Sequence, residues 1–230
     1  MDFAQQVNQY CERLDASFWA EPANAISNAA FLISALVSLL LWLRLPRKDW
    51  PVLALIVVVV AVGCGSFAFH TYATRGAELL DIIPISLFIF GYFHLAMTRF
   101  LGLPLRHGLA ATVAFALAGS ILIRLLAPVV GSSAGYLPAL LAIFGVGLLC
   151  VRRDVKAANG LFVAGILFAI SLTFRTLDQP MCGQFPIGTH FMWHALNAMV
   201  LTILLRTLMR AGHRAARGDH WRDGEMFEGP

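Results

Sequence analysis

Seven apolar stretches, each near the length that crosses a bilayer, constrain this chain more than any other feature. A helix needs about 20 apolar residues to cross the hydrocarbon core, with a range of roughly 17–25. Residues 24–42, 51–69, 79–97, 109–127, 137–151, 159–177 and 189–208 meet or approach that length, the fifth being the shortest. Between them stand breakers and charges such as Pro46-Arg47-Lys48-Asp49 and Arg152-Arg153-Asp154. The runs are continuously apolar rather than alternating, which argues against a transmembrane β-barrel. Composition agrees: of 230 residues, 59% are hydrophobic and 13% charged, against about 25% charged in soluble domains. With a mean hydropathy of +0.74, a water-soluble fold would expose too much apolar surface. Disorder, a coiled coil, a collagen-like repeat and a small disulfide scaffold are excluded. The sequence predicts an all-α integral membrane protein, a seven-transmembrane helix bundle. Residues 1–23 precede it, 24–210 form the bundle, and 211–230 form a polar, partly disordered tail.

Residues 1–20 hold Asp2, Glu12 and Asp15 and no apolar core, so they read as something other than a signal peptide. Orientation follows from Lys and Arg. The first, third and fifth loops and the tail carry thirteen of the 17 basic residues; Arg13, Arg75, Arg124 and Arg175 are the other four. This bias predicts an outside N-terminus and a cytoplasmic C-terminus. The net charge of +4 is small and scattered, which gives no reason to expect a nucleic-acid partner. No obligatory protein partner is evident either.

Polar residues inside a membrane are costly, so their placement is informative. Ser66 and His70 lie four apart near the outer end of the second stretch, and Asp81 lies near the outer end of the third. His190 and His194, also four apart, open the seventh. With the predicted orientation all five share one depth. Two His at i, i+4 face one metal. A third from another helix makes a three-ligand zinc site whose fourth position stays open. Zinc lowers the pKa of bound water to about 7. Asp81 would move protons, and Ser66 would donate to an oxyanion. Taken singly, each residue has a plainer reading. Ser commonly bonds its own helix backbone, Asp81 is a helix N-terminal charge, and haem is a competing use of His. His94, His107, His213 and His220 read as interfacial or tail histidines. Arg124 and Arg175 read as residues that snorkel to headgroups, and Trp193 as a packing aromatic.

The pattern Ser66-x3-His70, Asp81, His190-x3-His194 resembles that of the alkaline ceramidases, within a superfamily of seven-span hydrolases that includes adiponectin-receptor-like proteins. Tyr10-Cys11-Glu12-Arg13, Phe18-Trp19-Ala20-Glu21-Pro22 and Asn24-Ala25-Ile26-Ser27-Asn28 are similar to the bacterial ceramidase branch. The resemblance implies zinc on His70, His190 and His194, with Ser66 and Asp81 as catalytic partners. The reaction implied is hydrolysis of ceramide, or a similar N-acyl lipid, to sphingoid base and fatty acid. The implied location is a bacterial inner membrane with a periplasmic active site. Membrane lipids are its expected surroundings.

The resemblance also implies calcium in the N-terminal segment, on Glu12 and Glu21 with nearby carbonyls; oxygen ligands suit that ion. Here the sequence departs from the eukaryotic pattern. Gln9 replaces an acid, Leu14 replaces an amide, and the run from Cys11 to Glu21 is shorter, with Asp15 as a substitute ligand. The alternative is a solvated charged segment. Similar enzymes imply a Cys11–Cys182 disulfide, which an oxidising compartment permits; Cys64 and Cys150 read as small apolar fillers. Asn24, Ser27 and Asn28 either support the metal ligands from behind or bridge helices. The competing function is a zinc-containing lipid-binding receptor without robust turnover. A transporter ranks last, because no stretch is broken at mid-membrane.

Overall fold

The computed structural model describes residues 2–217, with side chains as far as residue 212. Residues 218–230 of the expected disordered tail, with His220, lie outside what is described, as does the side chain of His213. Every regular element among the described residues is helical. In order they are α1 (Pro22–Ser27), α2 (Ala29–Leu43), α3 (Trp50–Tyr72), α4 (Arg75–Arg99), α5 (Leu105–Val130), α6 (Leu137–Cys150), α7 (Val155–Met181) and α8 (His190–Arg217). Six helical stretches among the described residues are long and apolar enough to cross a membrane, so the chain is a multi-pass helical membrane protein. One of the six, Leu105–Cys150, joins α5 to α6 through a 3-10 turn at Gly131–Tyr136. The sequence expectation of seven counts this stretch twice; α6 has only 14 residues.

Local chemistry sets the helix ends. Asp49 accepts a bond from Val52 N and starts α3, Thr74 accepts from Ala77 N and starts α4, and Asp154 accepts from Ala157 N and starts α7. Asp49 also receives both Nη1 and Nη2 of Arg99, at 2.5 and 2.8 Å, clamping the start of α3 to the end of α4. The first apolar stretch is broken at Asn28. Its side-chain amide donates to the carbonyls of Asn24 and Ala25, diverting them from the helical ladder.

The outside of the bundle is apolar. On α5, Val113, Leu117, Ile121, Leu125 and Val129 form an exposed stripe, as a lipid-facing helix requires. Helix α8 packs against α1, α2, α3, α4 and α7, so it stands at the centre and carries His190 and His194 inward. Gly65 lets α3 and α4 touch at backbone distance: a Cβ there would lie 2.0 Å from Leu80 O. That contact sets Ser66 beside Asp81.

The N-terminal segment lies across the end of the bundle where α3 meets α4 and α7 meets α8. Val7 N donates to Ala73 O at 2.7 Å, and Arg75 N and Gly76 N donate to Gln5 O and Phe3 O at 3.0 Å. Cys11 is bonded to Cys182, with Cα atoms 5.2 Å apart.

Candidate metal centre

Three helix ends meet beneath this segment. His70 comes from the last turn of α3, and His190 and His194 from the first turns of α8. The three rings are buried, with centroids 4.6 to 5.1 Å apart. One ligand atom from each lies within 4.8 Å of the others. Among the described residues, no other group of three His, Cys, Asp or Glu meets that condition.

The hydrogen bonds behind the rings fix two tautomers. His70 Nδ1 donates to Glu21 Oε2 at 2.6 Å. Its Nε2 is then a free lone pair, and it is buried without a partner. Ser27 Oγ donates its one proton to Asn24 O at 2.9 Å. It must therefore accept from His194 Nδ1 at 2.7 Å, which leaves His194 Nε2 as a lone pair. His190 Nδ1 is also buried without a partner, and Tyr10 stacks on that ring at 3.8 Å between centroids. Buried imidazole lone pairs backed by oxygen acceptors are what a zinc ion needs. The residues present fit that metal.

Ser66 and Asp81 stand next to the triad. The close approach of Gly65 to Leu80 and Asp81 puts Ser66 and Asp81 side by side, and Asp81 Oδ1 is buried without a hydrogen-bond partner. Ser66, Asp81 and His194 line the head of an apolar cavity that continues along Phe88, Tyr92, Phe168 and Leu201 to Ala96 and Leu204. His194 to Leu204 is ten residues of helix, or about 15 Å at 1.5 Å per residue. A second, more polar cleft, lined by Gln9, Ser132, Arg175 and Gln179, meets the first at Asp81 and Tyr136.

Of the three residues expected behind the ligands, Ser27 contacts His194 directly. Asn24 acts through Glu21, to whose Oε2 its amide donates at 3.1 Å. Asn28 bonds only backbone carbonyls of α1. The acids expected for calcium do not gather. Glu12 accepts from Ala23 N and Asn24 N at 2.7 and 2.9 Å, capping α1. Asp15 is exposed, and the Ser17 hydroxyl and the Ser17 N, which donates to its Oδ1 at 2.8 Å, lower its pKa. Glu21 is shared between Arg13 and His70. Burial alone would raise the Glu21 pKa, but the bonds from His70, Arg13 and Asn24 outweigh it and hold the carboxyl below its usual range. Burial pushes the Tyr10 phenol well above its ordinary value, so it stays neutral.

One residue departs from its sequence reading, and another had none. Arg175 does not reach outward: its guanidinium lies over the rings of Tyr136, Trp193 and Tyr10 and donates to Ser132 Oγ at 3.0 Å. An aromatic cage is available to it there and headgroups are not required. Asp178 went unnoticed in the sequence. It is buried, its Oδ1 accepts from Thr189 N and His190 N, and its Oδ2 accepts from Cys11 N. It thus caps α8 from twelve residues upstream, a separation that no capping pattern signals. Trp193 is a packing aromatic against Tyr136 and Phe168.

Comparison with curated proteins returns no match. The sequence model of one family, described as Ceramidase, matches residues 8–222. That span includes the disulfide, all three histidines, Ser66 and Asp81. The chain belongs to the ceramidase family, a family of hydrolases that act on the amide bond of a lipid substrate.

Proposed function

We propose that this chain is a zinc-dependent intramembrane amidase that cleaves ceramide or a similar N-acyl lipid to sphingoid base and fatty acid. The observation that carries the reading is that His194, which gathers with His70 and His190, lines the head of an apolar cavity together with Ser66 and Asp81. Zinc on the three histidines would supply a Lewis acid and a water acidified enough to act as nucleophile at neutral pH.

The rest of the chemistry falls to the chain. The cavity holds the acyl chain below the site, so the amide carbonyl stops where Ser66 and Asp81 converge. Water adds to that carbonyl, and Asp81 takes the proton it loses. The Ser66 hydroxyl donates to the carbonyl oxygen as it becomes an oxyanion. The C–N bond then breaks, and Asp81 passes the proton to the departing amine. The polar cleft beside Arg175 and Gln179 accommodates the hydroxylated amine end.

The apolar exterior supports a site embedded in the bilayer, and the lysine and arginine bias supports an outward-facing active site in a bacterial inner membrane. The test is metal analysis of detergent-purified protein, coupled to fatty-acid release from ceramide, for wild type, His190→Ala and Asp81→Asn. About one zinc per chain, lost with release in His190→Ala, is the expected result for a three-His site. In Asp81→Asn zinc should stay while release stops. Zinc without release in wild type would favour the lipid-binding receptor, and no zinc would end the metal reading.

A further inference from the structure

Arg13 lies beneath the metal centre, and the reaction above does not use it. It is buried, at 4% exposure. Its Nε donates to Glu21 Oε1 at 2.5 Å, and its Nη2 donates to the carbonyl of His70 itself at 2.9 Å. Its Nη1 donates to Asp15 O at 3.2 Å. A guanidinium cannot shed its charge, so a permanent cation is buried one carboxylate away from three histidines poised for another. An unscreened charge there would oppose metal binding. Glu21 resolves the conflict. One oxygen faces Arg13, and the other faces His70 Nδ1 and Asn24 Nδ2. The carboxylate cannot rotate away from the imidazole without leaving the guanidinium unpaired, a change that is costly for a buried ion.

The same contacts bear on calcium. The oxygens that would receive the ion already have other donors. Both Glu12 oxygens hold α1 amides, and the Tyr10 carbonyl accepts from Arg13 N. Gln9 donates its amide to Glu78. Glu21 Oε1, a buried carboxylate oxygen of the same segment, is held by Arg13. A divalent cation on Glu21 Oε1 would sit against the guanidinium and be repelled by it.

Resting on the zinc reading of the triad, we propose that Arg13 is a positioning residue for the metal centre. It is a built-in cation that locks Glu21 onto His70, and it makes this chain's metal site independent of calcium.

The test uses the full-length protein in detergent, metal-stripped and reloaded. Zinc affinity is measured by competition with a chromophoric chelator, and calcium binding by equilibrium dialysis with millimolar calcium. Wild type should bind no calcium, and its zinc affinity should not change when calcium is present. Arg13→Ala should weaken zinc binding about 10- to 100-fold, the usual effect of losing support behind a ligand. Added guanidinium at non-denaturing concentration should restore part of that loss, which a merely structural defect would not permit. Should Arg13→Ala fail to fold, Arg13→Lys, which keeps the charge but not the fork, should fold and show an intermediate affinity. Stoichiometric calcium binding by wild type, or a zinc affinity that rises with calcium, would overturn the proposal. So would wild-type zinc affinity in folded Arg13→Ala or in Arg13→Lys. None of these readouts requires lipid turnover, so they stand apart from the failure of the amidase reading.

Discussion

Replacing Asp178 by Asn and by Ala should produce two distinct losses of stability, because the carboxylate serves three buried backbone donors. Its Oδ1 accepts from Thr189 N at 2.7 Å and His190 N at 3.0 Å, and its Oδ2 accepts from Cys11 N at 3.0 Å. Asn is nearly isosteric. With its oxygen toward α8 it keeps two of the bonds but turns an NH2 group against Cys11 N, a loss of about 1–3 kcal/mol for one buried donor. Ala leaves all three donors without an acceptor and should cost roughly two to three times as much. Gly188 tightens the joint. Its φ is +71°, and a Cβ there would fall 2.1 Å from Asp178 Oδ1, so the carboxylate fits here only beside a glycine. Because His190 N is one of the donors, zinc affinity should fall in the same order. The measurement is reversible unfolding in mixed micelles with the disulfide intact, paired with zinc competition. The reasoning fails if Ala is no more disruptive than Asn, or if both lie within about 0.5 kcal/mol of wild type, the range of an ordinary surface change.

Other perturbations separate packing from chemistry. Gly65→Ala must push α3 from α4, since its Cβ would lie 2.0 Å from Leu80 O. It should cost about 1–3 kcal/mol and abolish turnover, whereas Gly145→Ala, whose Cβ meets nothing within 4 Å, should be silent in both assays. Cys11→Ser or Cys182→Ser opens a link across 171 residues. Chain entropy sets an upper limit of about 5 kcal/mol on the destabilisation, and reductant should shift wild-type unfolding equally but leave the variants unchanged. Ser27→Ala removes the acceptor behind His194 and should weaken zinc about 10-fold, without changing the KM for lipid.

Some of this molecule is written in single residues and short spacings. The apolar stretches had to become helices, because a backbone in hydrocarbon must satisfy its own hydrogen bonds. Asp49, Thr74 and Asp154 mark three helix starts that a reader of the sequence can place. The i, i+4 spacings of Ser66 with His70 and of His190 with His194 put each pair on one helical face before any tertiary contact forms. The predicted orientation put those pairs at one depth with Asp81, and the resemblance to ceramidases named the five as one site; in the structure the three histidines gather, and Ser66, Asp81 and His194 line one cavity.

The tertiary structure decided what the charged residues of the N-terminal segment do. In the sequence, Glu12, Asp15 and Glu21 are three acids within reach of one ion, and Arg13 is merely their neighbour. Folding sends Glu12 to the start of α1, Asp15 to solvent and Glu21 to His70, and it buries Arg13 between Glu21 and the His70 carbonyl. Arg175 and Asp178 took their roles in the same way, one entering an aromatic cage and the other capping a helix that begins twelve residues later. A helix and its local caps depend on neighbours within four residues, so the sequence alone determines them. The partner of a long or buried charged side chain is chosen by whichever distant donor or acceptor folding leaves unpaired, and only the folded chain contains that information.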